Sequence, residues 1–317
     1  MDISINKNAL DIVSEILDRK ERLQCEVSTL PCGATVLDAG VLAKGCTELG
    51  CLVGEVSMGG LGAVRLSTMY IGNLSLPAVV VATDEPVIAT LGSQHTGWAI
   101  KVGKYSAMGS GPARALARVE KQLYEEIQYN DNHTAGVMVL ESRDLPTDEV
   151  AEHVAEKCGL SSSDMTFVGV PTASEAGSAQ ISARIVEVGI HKMHEIGFDL
   201  TRIRRGYGVA PIAPVAKSDA RAMGATNDCI RYGGRTFYFL REGAEGVAEI
   251  IQQIPTRASE QNGQSFYDLF KSADSDIYRL DPCIFSPAEI TISHIESRSV
   301  YKAGELDPIA LKRSLGL

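Results

Sequence analysis

The stretch Pro77-Ala78-Val79-Val80-Val81-Ala82-Thr83 decides the fold class. It is apolar at consecutive rather than alternate positions, so both faces need cover and it belongs inside a sheet. Other short β-rich runs bounded by Gly and Pro are 35–37, 51–56, 135–140, 166–170, 235–241 and 289–297. Helical patterns lie between them. The first sets Ala9, Leu10, Val13, Ile16 and Leu17 at three- and four-residue steps, with Ser4 or Asn6 as cap. A second covers 112–128, with Leu116, Val119, Leu123 and Ile127 on one stripe. A third starts near Thr147, where Thr-Asp-Glu-Val is a near capping box, and ends by Gly159. Further helices are expected over 178–196, over 244–254 and after Asp307-Pro308. Strands and helices mix without a regular βαβ rhythm. The expectation is an α/β (mixed α+β) fold of two domains, each with a mixed sheet and flanking helices. The run 159–164 (GLSSSD) is the linker candidate, dividing 1–160 from 161–317, with the chain free to cross between domains more than once.

Composition narrows the function. The 317 residues carry 30 Lys+Arg against 40 Asp+Glu, a net charge of −10, which argues against nucleic acid as a partner because no basic stripe offsets the repulsion of phosphate. With 44% hydrophobic and only 22% charged residues, general disorder is excluded. The longest apolar run, around 76–82, falls far below the roughly 18 residues that span a bilayer, so no membrane association is expected. Asp2, Lys7 and Asp11 stand where a signal peptide needs an apolar block. Seven cysteines, an odd number at unhelpful spacings, suit no secreted disulfide scaffold. These features read as a soluble cytoplasmic protein with reduced thiols.

Common cofactor motifs fail on inspection. Gly40 and Gly45 have P-loop spacing, but Cys46 and Thr47 follow where Lys and Ser/Thr are needed. Gly60-Leu61-Gly62 reaches Arg65 instead of the third glycine of a dinucleotide fingerprint. His191 and His194 lie three apart with Glu195 next, yet no HExxH and no close Cys pair support zinc, and no metal site is assigned.

Four stretches remain as candidates. In 105–114, Gly109-Ser110-Gly111 opens towards a helix with Pro112 in its first turn; this is either an anion seat completed by Arg114 or a plain helix start. In 91–98, Ser93, Gln94, His95 and Thr96 sit between two glycines ahead of Trp98, as a ligand-lining loop or a surface loop. In 182–191, a helical reading buries Ala179, Ala183, Val186, Ile190 and Met193 and lines Arg184, Glu187 and His191 along one flank; read as a strand, which the β-branched residues leave open, Arg184 and Glu187 point to opposite faces, though length and Met193-His194-Glu195 favour the helix. On spacing alone, Arg184 and Glu187 read as a solvated surface pair worth under about 1 kcal/mol. In 225–234, Asn227 and Asp228 before Gly233-Gly234 read as turn chemistry.

Taken in order, TVLDAGV (35–41), YSAMGSGPARALA (105–117), SARIVEVGIHKM (182–193), ATNDCIRYGG (225–234) and SFYDLFKSADSDIYRLDPCIFSPAEI (265–290) resemble the methenyltetrahydromethanopterin cyclohydrolases. One departure is His95-Thr96, where a more apolar pair is expected. The resemblance implies reversible hydrolysis of 5,10-methenyltetrahydromethanopterin to the N5-formyl compound in archaeal-type one-carbon metabolism and methanogenesis, with no metal or redox cofactor. It also implies a homotrimer of two-domain subunits, the pterin held in an interdomain cleft. The family's catalytic Arg and Glu correspond to Arg184 and Glu187. Ser93, Gln94, Gly109, Ser110, Gly111 and Arg114 are the substrate-binding candidates, the last four for the substrate's anionic tail. Alternatives are a hydrolase of a folate-type methenyl pterin and a non-catalytic pterin-binding protein.

Overall fold

The computed structural model describes residues 3–317 apart from Glu242 and Ala244. In chain order the elements are α1 (Ile5–Asp18), α2 (Lys20–Leu23), β1 (Glu26–Thr29), β2 (Thr35–Asp38), α3 (Thr47–Ser57), β3 (Gly62–Ile71) and β4 (Leu74–Thr83). They continue with α4 (Pro86–Ala89), a π-helical turn (Thr90–Gln94), β5 (Trp98–Val102), β6 (Tyr105–Ser110), α5 (Ala113–Ala117) and α6 (Lys121–Glu126). Next come β7 (Gly136–Glu141), α7 (Asp148–Cys158), β8 (Met165–Gly169), α8 (Glu175–Ser182), α9 (Ile185–Glu195) and β9 (Ile203–Pro211). The chain ends through α10 (Asp219–Gly233), β10 (Arg235–Leu240), α11 (Val247–Ile250), α12 (Phe266–Ser272), β11 (Glu289–His294), β12 (Ser299–Gly304) and α13 (Pro308–Leu315).

Two compact units form, each around one six-stranded mixed sheet, as the mixed α/β reading requires. One comprises the residues up to Gly62 with Val87–Gln180; the other comprises Ala63–Pro86 and Ile181–Leu317. Residues 63–86 and 161–180 therefore fall on opposite sides from a single division at 160. Strand pairing is the reason: β4 is hydrogen-bonded to β9, while β8 lies between β2 and β7.

The first sheet has the order β1-β2-β8-β7-β6-β5, with β2, β8 and β7 parallel. Period two divides its side chains between two cores. Leu37, Val137, Val139 and Val168 join α1 and α3, while Val36, Met138, Leu140 and Phe167 join Val150, Ala151, Val154 and Ala155 of α7. Ser4 caps α1, its hydroxyl accepting from Lys7 N at 3.2 Å. The strand expected over 51–56 is instead α3. Leu49, Cys51, Leu52, Val53 and Val56 are all buried, and a short run of consecutive buried apolar residues does not by periodicity separate a helix from a buried strand. The expected 112–128 helix divides into α5 and α6 at Arg118, which adopts a left-handed φ of 47°.

The second sheet has the order β12-β11-β10-β9-β4-β3, with only β10 and β11 parallel. The Val-rich run 77–83 sits in β4, with a neighbour on each side. Gly206 and Gly208 of β9 face α9, whereas Val209 packs with α10 and α13. Residues 225–234, read as a turn, belong mainly to the 15-residue α10, whose buried interior includes Asp228 and Arg231. The expected 244–254 helix shortens to α11 and a 3₁₀ turn, and Ala244 lies outside the described residues. No described helix is long and apolar enough to cross a membrane.

Candidate active site

The helix expected over 178–196 is two helices, and the break between them defines the site in the second unit. Beyond Ser182 the amide of Arg184 donates to the carbonyl of Ile181 at 2.9 Å, and α9 begins one residue later. Arg184 is thus the N-cap of α9, its carbonyl accepting from Val188 N at 3.0 Å. Glu187 is in the first turn. The three-residue step sets both side chains towards one side of the helix. Arg184 is 7% exposed and Glu187 6%, which overturns the solvated-pair reading.

The setting of α9 explains that burial. Every residue from Ile185 to Met193 is buried, so its polar groups lie in the interior. Gly206 and Gly208 leave room for Val186 and Ile185; a Cβ on either glycine would come within 2.7 Å of them. Gly189 does the same for Tyr238, whose hydroxyl donates to the Val186 carbonyl at 2.7 Å. Burial pushes the Tyr238 phenol far above its usual range, and the nearby Glu187 charge adds to that. Lys192 Nζ donates to the carbonyl of Cys283 at 3.1 Å, and the His191 ring packs edge-on to Phe285 at 6.2 Å between centroids. A Glu187 carboxylate oxygen and a His191 ring nitrogen lie within 4.8 Å of each other. At a helix start, the positive end of the helix dipole favours the ionised carboxylate of Glu187 and opposes the cation of Arg184, each by about 0.3–1 kcal/mol. The helix therefore presents a buried acid in its first turn with a guanidinium at the residue that caps it. That combination suits general-base chemistry.

The first unit gathers Ser93, Gly111 and Arg114 around one backbone carbonyl. Ser93 O accepts from Gly111 N at 2.8 Å and from Arg114 Nη1 at 3.0 Å. The same Nη1 donates to Leu91 O at 3.1 Å, and Nε donates to Glu120 Oε2 at 2.9 Å. Arg114 is fully buried, so its guanidinium fixes the Thr90–Gln94 turn from within. Ser93 Oγ donates to Ser57 O at 2.6 Å, and Gln94 Nε2 to Ser57 Oγ at 3.2 Å. Gly109 and Ser110 are not a turn before a helix but the end of β6, paired with Leu140 and Val139. Gly109 is needed for close packing, since a Cβ there would lie 2.9 Å from Ile100 and 3.0 Å from the Trp98 carbonyl. The anion seat expected from a glycine turn opening onto a helix is therefore not formed in that way: α5 has five residues, and Gly111 N is already engaged.

Three polar residues with defined roles escaped the sequence reading. Asp38 accepts four backbone amides, from Gly40, Val41, Leu42 and Ala43, at 2.7–3.0 Å. Lys192 is buried on α9. Glu141 is buried at the end of β7, and its one signal is a charged residue closing the apolar run Val137–Leu140.

Comparison with known proteins adds the chemistry. A family model described as Cyclohydrolase (MCH) matches residues 4–315. The chain is 44% identical over 317 residues to a methenyltetrahydromethanopterin cyclohydrolase of Methanosarcina barkeri, covering 99% of each chain. It is 43% identical over 318 residues to the protein of that name from Methanocaldococcus jannaschii, covering 99% of this chain and 98% of the relative. To the Methanococcoides burtonii protein, also so named, it is 42% identical over 316 residues, covering 99% of both.

Proposed function

We propose, since the chain belongs to the methenyltetrahydromethanopterin cyclohydrolase family, that it reversibly hydrolyses 5,10-methenyltetrahydromethanopterin to the N5-formyl compound. The observation that carries the mechanism is the buried Glu187 in the first turn of α9, one turn from Arg184.

The methenyl carbon lies between two nitrogens as an amidinium cation and is electrophilic without a Lewis acid, so no metal or redox cofactor is required. Water bonds to that carbon as Glu187 takes one of its protons. The tetrahedral adduct then collapses: its hydroxyl becomes the formyl carbonyl, the bond to N10 breaks, and N10 receives the hydroxyl proton. Glu187 releases its proton to solvent, so one proton leaves per methenyl cation consumed. A positioned carboxylate contributes factors of about 10²–10⁴ to such a step. Arg184 opposes protonation of Glu187 and orients its carboxylate. Ser93 and Gln94 contribute through the turn that Arg114 holds, which makes Arg114 a positioning residue. Gly109, Ser110 and Gly111 shape the strand end beneath that turn. The protein acts as a homotrimer in the cytoplasm of an organism with methanogenic-type one-carbon metabolism.

Loss of the methenyl absorbance in stopped flow tests this reading. Glu187→Gln should lower turnover by about 10²–10⁴ while keeping the native circular dichroism. Wild-type turnover in that variant removes Glu187 from the mechanism. Stoichiometric binding without turnover by the wild-type protein refutes the enzyme itself, and faster turnover of a methenyltetrahydrofolate reassigns its substrate. A light-scattering mass other than three chains rejects the trimer.

A further inference from the structure

A carboxylate is placed only as well as the peptide that carries it, and one hydrogen bond from the second sheet reaches the peptide that carries Glu187. The carbonyl of Val186 and the amide of Glu187 belong to a single planar unit. Tyr238 Oη donates to that carbonyl at 2.7 Å. A helical carbonyl gives one lone pair to the amide four residues on and keeps a second for a side chain. Tyr238 itself is fixed from both sides: it is 0% exposed in β10, opposite Gly206 of β9 and Ile292 of β11. All of these residues lie within the second unit.

Two features answer to the hydroxyl and not to the ring. Thr236, Tyr238 and Leu240 are the buried residues of β10, and phenylalanine, present at 237 and 239, would fill the place of Tyr238 without burying a polar atom. Gly189 lies inside α9, where glycine is disfavoured against alanine, and a Cβ there would collide with Tyr238 Oη. The helix thus carries a weak helix former at the one place where the oxygen enters. We infer that Tyr238 is a positioning residue for Glu187: its hydroxyl, held by the sheet, fixes the peptide from which the carboxylate extends, and Gly189 admits it. Helix ends fray, and Glu187 stands in a first turn, so the bond acts where the backbone is least restrained. A displacement of about 1 Å in a catalytic group can cost about 10²-fold in rate. The bond therefore bears on the chemical step and leaves binding alone. The inference rests on Glu187 being the base of the reaction proposed above.

The test is a double-mutant cycle on the intact protein, read in kcat, KM and Tm. Tyr238→Phe removes the hydroxyl and keeps the ring. It should lower kcat by about 10- to 100-fold, with KM within about twofold of wild type. Tm should fall by only a few degrees. In Glu187→Gln, which has no base left to position, the same substitution should cost less than about twofold. Gly189→Ala, which pushes the hydroxyl away from the helix side, should show the same dependence on Glu187, and it decides the matter should Tyr238→Phe not fold. Wild-type kcat in folded Tyr238→Phe overturns the inference and leaves the bond as packing alone. An equal loss in both backgrounds overturns it too, since Tyr238 would then act through some other group. If Glu187→Gln by itself turns over like wild type, the proposed mechanism fails and takes this inference with it, and that failure is recognised from the single variant without Tyr238.

Discussion

The second unit contains two buried pairs of an arginine and an acid three residues apart, and their settings on the helix differ. Asp228 and Arg231 lie deep within α10, 0% and 1% exposed, with Arg231 Nη1 donating to Asp228 Oδ1 at 2.9 Å. Asp228 also accepts from Phe266 N at 3.0 Å and from Ser314 Oγ at 2.7 Å, tying the starts of α12 and the end of α13 to α10. Here the acid precedes the base, the order that the helix dipole favours. On α9 the order is reversed, and Arg184 stands at the positive end of the helix. There the dipole favours the acid and opposes the arginine, so the pair as a whole draws little stability from it. Spacing makes these pairs look alike. Position along the helix separates them.

Crossed measurements break the comparison if it is wrong. Glu187→Gln, expected to have the largest effect, should remove about 10²–10⁴ of turnover with little change in Tm. Asp228→Ala should do the reverse, costing about 3–5 kcal/mol of stability in urea because Arg231 is left as an unpaired buried charge, while folded protein keeps its kcat. A large drop in Tm for Glu187→Gln with kcat intact would make the α9 pair another clamp. Arg114→Ala ranks next. It takes the guanidinium donor from the Leu91 carbonyl, at about 1–3 kcal/mol, and one of two donors from the Ser93 carbonyl, which keeps Gly111 N. Because the guanidinium faces the turn, KM should rise by equal factors for the intact pterin and for one truncated in its anionic tail. A larger rise with the intact tail would return Arg114 to anion binding.

The same contrast marks how far the sequence was legible. Strand β4 was readable because its Val run needs cover on both faces, and α7 because Thr147 and Gly159 bound a clean amphipathic pattern. Helix α3 was not, since buried residues run unbroken from Leu49 to Gly54 and leave no clear period to betray it. The break before α9 left no Pro or Gly as a marker; it is made by Arg184 N bonding Ile181 O, a local turn within a helical pattern. Glu187 and Arg184 stand out in the sequence only through resemblance, because burial, which separates them from a solvated surface pair, is a tertiary property. The choice between the two Arg114 readings was hidden for a related reason. A guanidinium beside a glycine turn suggests an exposed anion site, and only the fold shows that its donors are turned inward to Leu91, Ser93 and Glu120. Asp228 was hidden by its neighbours, Asn227 before it and Gly233-Gly234 after it, which mimic turn chemistry inside a 15-residue helix.

The smallest expected effect sharpens the clamp reading further. Ser314 reaches Asp228 from the last turn of α13, a helix already set by Asp307, whose carboxylate accepts from Ile309 N and Ala310 N at 3.0 and 2.9 Å, and by the buried Leu311. Removing the hydroxyl in Ser314→Ala takes one donor from Asp228 but leaves it Arg231 and the amide of Phe266. The cost should therefore be about 1–2 kcal/mol, a shift of a few degrees in Tm, with KM and kcat unchanged. If Ser314→Ala instead loses as much stability as Asp228→Ala, the energy of the clamp resides in docking α13 and not in neutralising Arg231. The buried pair would then owe its place to the terminal helix it holds.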